Sequence, residues 1–600
     1  MPICYSNNNN TMNKRFLTTF LQIICIFLLI TSCEKHKDHI ITILATTDLH
    51  GVILPYDFIE KEPLKASLAH AASYIRKTRD SSENFILLDN GDNLQGQPTV
   101  YYNNYIDTTD THFNAEVMNY LGYDAATAGN HDIETGHSVY DRIRKEYHFP
   151  MLAANAISVK TGKPYFCPYT IIDRSGLKIA VMGLITPAVP NWLPPELYSG
   201  MEFGDMVQAA ETWMKVIKRE DPDLIIGLFH SGWDVRENSN NFVTTGNYDE
   251  NGTASVAWKV PGFDIIFAGH DHKIYNEKFI NSAGDTVLIL DGGSRSEKIA
   301  RADIKITYDR VAGKKRKLLK GRIIDVGKYP ADPGFINKFG DRSKVIDKYV
   351  STPIARSEKT VSSRDAYFGS SPFVDLTHSI QLEITGADIS FAAPLSFDVS
   401  IPAGEITIGD MFKLYRFENL LYTLSMTGKE IERYLEFSYS GWYNTMKGPD
   451  DHLLKFRLGK DGKPALAGGV AWLRNPSYNF DSAAGIDYSV NVSKPDGERI
   501  VISSFSDGRP FDPEKTYKVA VNSYRGNGGG GHLLKGAGIS RDELHKRIIR
   551  STERDLRFYM INYLEQLGTI NPEALGNWKV IPESWAAIAA GKDYKLLFGK

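Results

Sequence analysis

The chain has 600 residues, 69 basic against 72 acidic side chains for a net charge of −3, and 4 cysteines. Its length exceeds what one hydrophobic core usually organises, so at least two domains are expected. The balanced charge argues against a nucleic-acid polymer as partner, though not against a single nucleotide, and so few cysteines cannot build a dense disulfide scaffold.

Lys14 and Arg15 precede a short apolar run over 16–30, the layout of a secretory signal. The run falls short of the roughly 20 apolar residues of a membrane span. It ends in Ile30-Thr31-Ser32-Cys33, similar to the bacterial lipobox, in which the cysteine is acylated after cleavage. Residues 1–32 are therefore expected to be a lipoprotein signal peptide and 33–39 a polar tether. The mature chain would be exported and held to a membrane by acyl groups on Cys33, in the periplasm or at the cell surface. An uncleaved anchor is the alternative.

From residue 40 to 334, short β-rich runs alternate with helical patterns. Strands are expected at Ile40–Thr46, Phe85–Asp89, Tyr123–Ala128, Lys178–Leu184, Leu224–Phe229, Asp264–Ala268 and Val287–Leu290, and helices at Leu64–Lys77 and Met206–Arg219. Continuous apolar strands bounded by Gly, Asp and Asn suit a sheet covered on both faces. Residues 335–352 read as a helical connector, 353–570 as a second, smaller domain, and 571–600 as a peripheral extension.

The chemistry sits where the apolar strands end. Asp48-Leu49-His50, Gly91-Asp92-Asn93, Gly129-Asn130-His131-Asp132, His230 and Gly269-His270-Asp271-His272 each follow a strand. Side chains at strand ends converge on one rim of a sheet, and glycines let the loops turn tightly behind them. Imidazole, carboxylate and one amide without thiolate suit two divalent ions (Zn, Mn, Fe or Co) sharing a carboxylate. A lone histidine at a strand end would more often be structural; the ordered set is what points to a binuclear centre. Asp132 also reads as a first-turn residue that satisfies backbone amides.

This ordered set resembles the metallophosphoesterase (calcineurin-like) superfamily, and the similarity continues into the second domain in the manner of the secreted 5′-nucleotidase family. The resemblance implies a four-layer α/β/β/α catalytic domain joined by the connector to an α/β substrate-binding domain. It implies that Asp48, His50, Asp92 and His272 hold one metal and Asp92, Asn130, His230 and His270 the other. It implies water attack at phosphorus, with His131 stabilising charge or protonating the leaving oxygen. The residue that orients His131 lies three positions on, where the family usually has Asp or Asn and this chain has Glu134.

In the second domain the resemblance implies that Phe417 and Tyr524 sandwich a base and that Asn419 bonds its edge. The Asn-Gly-Gly-x-Ile-Arg motif of 5′-nucleotidases is absent; Ala392–Ile401 stands there without a glycine pair or arginine. Gly530 replaces that branch's loop aspartate. Gly485-Ile486-Asp487-Tyr488 and Ser523-Tyr524-Arg525 before Gly528–Gly531 look like the 2′,3′-cyclic-nucleotide 2′-phosphodiesterase/3′-nucleotidase branch. The expectation is a monomeric metal-dependent hydrolase of small nucleotides. A 5′-nucleotidase or nucleotide-sugar hydrolase, and a non-catalytic nucleotide-binding surface lipoprotein, are the alternatives. Arg525 is left open between a phosphate and an acidic neighbour.

Overall fold

A computed structural model describes residues 38–235, 249–309 and 314–599. The signal peptide and Cys33 lie outside the described residues.

The N-terminal domain is built on twelve strands: β1 (His39–Thr46), β2 (Asn84–Asp89), β3 (Ala125–Thr127), β4 (Met151–Leu152), β5 (Tyr169–Arg174), β6 (Leu177–Ile185), β7 (Leu224–His230), β8 (Ile265–Ala268), β9 (Ile274–Ile280), β10 (Thr286–Gly292), β11 (Lys298–Asp309) and β12 (Lys314–Asp325). They form two six-stranded sheets, ordered β12-β11-β1-β2-β3-β4 and β9-β10-β8-β7-β6-β5. β1-β2-β3-β4 and β6-β7-β8-β10 run parallel to one another, while β11, β12, β9 and β5 add in antiparallel fashion.

The sequence pattern explains the layering. Successive side chains on a strand face opposite ways. Ile41, Ile43 and Ala45 of β1, with Ile86 and Leu88 of β2, enter the core between the sheets. Leu44, Phe85 and Leu87 face outward onto helices α1 (Leu68–Ser81), α2 (Phe113–Leu121) and α3 (His137–Glu146). The second sheet turns its outer face to α4 (Met206–Ile217) and α5 (Thr253–Lys259). The result is the expected α/β/β/α order. Helix α1 starts four residues later than its periodicity suggests, because Leu68 N and Ala69 N donate to Val52 O and Ile53 O, at 3.0 Å each, and pin the first turn to the loop after β1.

Helix α6 (Pro333–Val350) links the domains. Asp332 caps it, accepting from Phe335 N at 2.8 Å, and Phe335, Phe339, Ile346 and Val350 bury its inner face on the first domain. Beyond it, a five-stranded sheet includes β13 (Ile389–Ala392), β14 (Leu421–Thr427) and β15 (Thr516–Asn522). Thr427 and Glu430 make the capping box that opens the following helix.

The tail does not stand apart from this domain. Residues 578–581 (Trp578–Ile581) pair in parallel with Tyr488–Asn491. The helix Glu583–Phe598 buries Ala586, Ala589 and Leu597 in the same core. Asp593 on that helix accepts from His452 Nδ1 at 2.5 Å and Leu454 N at 2.9 Å. A periodic segment after a turn reads as peripheral only until its apolar face finds a partner. A boundary drawn at 570 therefore cuts through this packing.

Candidate metal centre

The carboxyl ends of the parallel strands meet at one rim. Beyond β1 lie Asp48 and His50, beyond β2 Asp92, and beyond β3 Asn130. The second sheet contributes His230 at the end of β7 and His270 and His272 beyond β8. The centre therefore straddles the two sheets, at the edge where ligands of open α/β sheets usually sit.

Its backbone is strained. Asp48, His50, Asp92, His270 and His272 have φ of 50, 47, 58, 76 and 57°, five of the ten non-glycine residues with positive φ among those described. Such conformations cost about 1–3 kcal/mol each and persist where surrounding contacts enforce them. Here Asp48 N donates to Gly91 O and His50 N to Asp92 O, both at 2.9 Å. Two glycines make room: a Cβ on Gly129 would lie 2.1 Å from Asp92 Oδ1, and one on Gly269 would lie 2.3 Å from Thr47 Oγ1.

Two donor clusters result, Asp48–His50–His272 and Asp92–His230–His270, each with ligand atoms within 4.8 Å of one another. His50 Nδ1 lies 3.2 Å from Gln95 O, so the ring donates there, and its Nε2 faces His272 Nε2 at 3.0 Å. His272 Nε2 is also 3.4 Å from Asp48 Oδ1. His230 Nδ1 donates to Asn90 O at 2.6 Å, which aims Nε2 at Asp92 Oδ2 and Asn130 Oδ1, each 3.1 Å away. Lone pairs thus converge on lone pairs, an arrangement that requires a cation or proton between them. Backbone acceptors behind the imidazoles set the tautomers that present those lone pairs. The residues present fit a pair of divalent ions.

The electrostatics agree. Burial alone would raise the Asp92 carboxyl, but His230 and His131 outweigh it and hold it well below the usual range. Burial alone would lower His230, but Asp92 and Asp48 push it up to about 10. Burial pushes His50 down to about 4. The pocket favours positive charge at one point and lone pairs at another.

His131 leans into the same space, its ring 5.4 Å from that of His50. Its amide donates to Asp92 Oδ1 at 2.8 Å, and its Nδ1 meets Glu134 Oε2 at 2.5 Å. The longer glutamate therefore reaches from the position where the family has a shorter side chain. Burial would lower His131, but Asp92 and Glu134 raise it to about 9. Asp132 has the structural role foreseen as its alternative. It accepts from the amides of Asp92, Asn93, Leu94 and Gly129 at 2.8–3.1 Å and so shapes the Asp92 loop.

Opposite the metal ligands, the C-terminal domain closes a cavity of about 820 Å³ whose lining includes His50, Asn130, His131, His270 and His272 on one side and Phe417, Asn419 and Tyr524 on the other. Tyr415 donates its hydroxyl to Asn419 Oδ1 at 3.3 Å, leaving the Asn419 amide hydrogens for a ligand. Arg525 is committed to an acidic neighbour. It donates to Asp481 from Nε and Nη2 at 2.9 Å each, to Tyr478 O at 2.5 Å and to Gly529 O at 3.2 Å. A Cβ on Gly530 would lie 2.3 Å from Arg525 Nη1, so as the loop stands no aspartate fits there.

Tyr478, Trp192 and Glu250 are among the lining residues not read from the sequence. Tyr478 brings a further aromatic ring, 6.2 Å from Phe417 and edge-on to it. Trp192 places its ring 5.4 Å from His270, and its carbonyl accepts from Asn527 across the domain interface at 3.2 Å. Glu250 accepts from His270 Nε2 at 3.1 Å. The signal for Trp192 was a tryptophan inside the proline-rich loop 187–195, where a core role is improbable; Tyr478 and Glu250 had no local signal.

Comparison with known proteins agrees with this geometry. Residues 41–274 match the family model Calcineurin-like phosphoesterase and 353–536 the model 5′-nucleotidase, C-terminal domain. The trifunctional nucleotide phosphoesterase YfkN of Bacillus subtilis is 28% identical over 91% of this chain, which spans only 39% of that longer protein. The 2′,3′-cyclic-nucleotide 2′-phosphodiesterase/3′-nucleotidase of Haemophilus influenzae is 26% identical over 95% of this chain and 92% of its own length. A solved Staphylococcus aureus structure, provisionally called a 5′-nucleotidase, shares the fold with a TM-score of 0.74 at 20% identity, covering 90% of this chain and 99% of the other. The strand-end ligands and the two matched domains make this chain a member of the calcineurin-like phosphoesterases that bear a 5′-nucleotidase C-terminal domain, a metal-dependent phosphoric ester hydrolase.

Proposed function

We propose that the chain hydrolyses 2′,3′-cyclic nucleotides and 3′-nucleotides to nucleoside and phosphate, as an exported monomer anchored through acyl groups on Cys33. The observation that carries this reading is the shared cavity: the donor clusters form one wall, and two aromatics and an amide form the other. That span suits a molecule with a phosphate at one end and a flat base at the other.

Asp48, His50, Asp92 and His272 would hold one divalent ion, and Asp92, Asn130, His230 and His270 the second. When bound, such a pair supplies Lewis-acid polarisation and an acidified water. His131, held by Glu134, is placed to stabilise charge on the phosphoryl group or to give a proton to the leaving ribose oxygen. Phe417 and Tyr524 stack the base, and Asn419 bonds its edge; stacking is worth about 1–3 kcal/mol per base and tolerates any base. In place of the arginine motif of 5′-nucleotidases, Phe397, Asp398 and Val399 line the cavity, and Asp398 is held by a bidentate pair with Arg364 at 2.6 and 3.0 Å. The N-terminal signal pattern ending at Cys33 supports export, and among the described residues no helix is long and apolar enough to cross a membrane.

The test is nucleoside and phosphate release from 2′,3′-cyclic AMP, 3′-AMP and 5′-AMP by protein loaded with Mn²⁺ or Zn²⁺. Activity on the first two is expected. Activity on 5′-AMP alone would favour the 5′-nucleotidase reading instead.

A further inference from the structure

Arg295 and Arg416 line the same cavity from different domains, and the reading above uses neither. Arg295 follows β10 in a left-handed conformation, φ 57°, and its amide donates to Asp48 O at 2.8 Å. It is thus fixed one hydrogen bond from the first donor cluster. Its guanidinium comes no nearer than 3.7 Å to Asp57 Oδ2, too far for a hydrogen bond. The Oδ1 of Asp57 accepts from the amides of Ile59 and Glu60 at 2.9 and 3.0 Å, which sets the orientation of the carboxylate.

Arg416 immediately precedes Phe417, its guanidinium 5.9 Å from that ring. The carboxylates near it, Asp57 and Glu60, face Arg295 and Lys413, the latter at 3.5 Å. Arg416 is exposed to the cleft; desolvation and the Arg295 charge push its pKa down against the opposing pull of Asp57 and Glu60. Two guanidiniums on the wall of one cleft, one attached beside the metal ligands and the other beside the base platform, offer charged donors to a doubly charged tetrahedral anion.

We propose that Arg295 and Arg416 form an anion subsite for a second phosphate of the substrate, so that nucleotides bearing two phosphates, such as nucleoside 3′,5′-bisphosphates, are preferred over those bearing one. The identity of the bond cleaved rests on the 3′-nucleotidase reading; the subsite itself does not.

Two measurements on the Mn²⁺-loaded protein test this and keep the readings apart. In the first, chromatography follows turnover of 3′-AMP and of adenosine 3′,5′-bisphosphate. The bisphosphate is expected to have a kcat/KM about tenfold higher, the scale of one charge-assisted hydrogen bond. That ratio should fall toward one in Arg416→Met and in Arg295→Gln, whatever the absolute rates. In the second, the same two nucleotides inhibit hydrolysis of bis(p-nitrophenyl) phosphate, which reads the subsite even if neither is turned over. A tenfold tighter inhibition by the bisphosphate, lost in Arg416→Met, supports the proposal. Equal inhibition constants in the wild type, or a preference unchanged in both variants, overturns it. Lack of 3′-AMP turnover with the inhibition preference intact would sink only the 3′-nucleotidase reading.

Discussion

The metal centre and the Arg525 cluster are both buried charge, but only one is paired by protein groups alone. Around Arg525, the guanidinium meets both oxygens of Asp481 and two carbonyls, and Tyr434 adds a hydroxyl to the same carboxylate. Each donor answers an acceptor. In the metal centre, imidazole lone pairs face carboxylate, amide and imidazole acceptors, and the backbone beneath is left-handed. Burying charge is costly unless it is paired. The first cluster meets that cost from within and fixes the Tyr478 and glycine-rich loops; the second leaves it to a ligand. The contrast separates the part of the molecule that is scaffold from the part whose donor atoms suit a cation.

The contrast can be broken from either side. Asp92→Ala should have the largest effect: activity lower by roughly a thousandfold or more, with metal content falling in elemental analysis. Retained activity and metal would refute the shared-carboxylate arrangement. His131→Ala should lower turnover by about 10²–10⁴-fold while metal content stays; a parallel loss of metal would make His131 a ligand instead. Arg525→Met leaves Asp481 buried without its partner and should cost about 3–5 kcal/mol in denaturant unfolding. An undiminished unfolding midpoint would mean that the cluster is not scaffold.

Phe417→Ala should raise KM for nucleotides by about 5–150-fold, the range of one stacking contact, and leave bis(p-nitrophenyl) phosphate little affected. Equal changes for both substrates would point to a packing role. The smallest effect is in pH. Burial would raise Asp481, but Arg525 holds it down at about 2. A depressed carboxylate contributes stability above its unfolded pKa, near 4, and loses it as pH falls through the folded value. The stability gap between wild type and Asp481→Asn should therefore be full above about pH 4 and shrink toward pH 2. A gap constant over that window would contradict the assignment.

The catalytic half was legible because its information is local. An apolar strand, a glycine and a His or Asp occur within a few residues, and parallel strands can only deliver their carboxyl ends to one rim. The structure brings Asp48, His50, Asp92, Asn130, His230, His270 and His272 together there, with His131 beside them. The reach of Glu134 was not legible, since an extra methylene can help or hinder depending on helix geometry. The choice between phosphate and acid for Arg525 was not legible either, because Asp481 lies 44 positions away.

Residue order and type alone thus determined the two-domain α/β plan and the strand-end donor set, consequences of length, strand periodicity and motif spacing, while the aromatic candidates Phe417 and Tyr524 came from the family resemblance. Tertiary structure alone decided that the tail from residue 578 completes the C-terminal domain, that Trp192 and Glu250 flank His270, and that Arg295 and Arg416 enter one cleft. Those pairings join segments from tens to hundreds of residues apart, and no local pattern encodes them. They follow from how whole faces bury against one another, which depends on the complete set of apolar contacts.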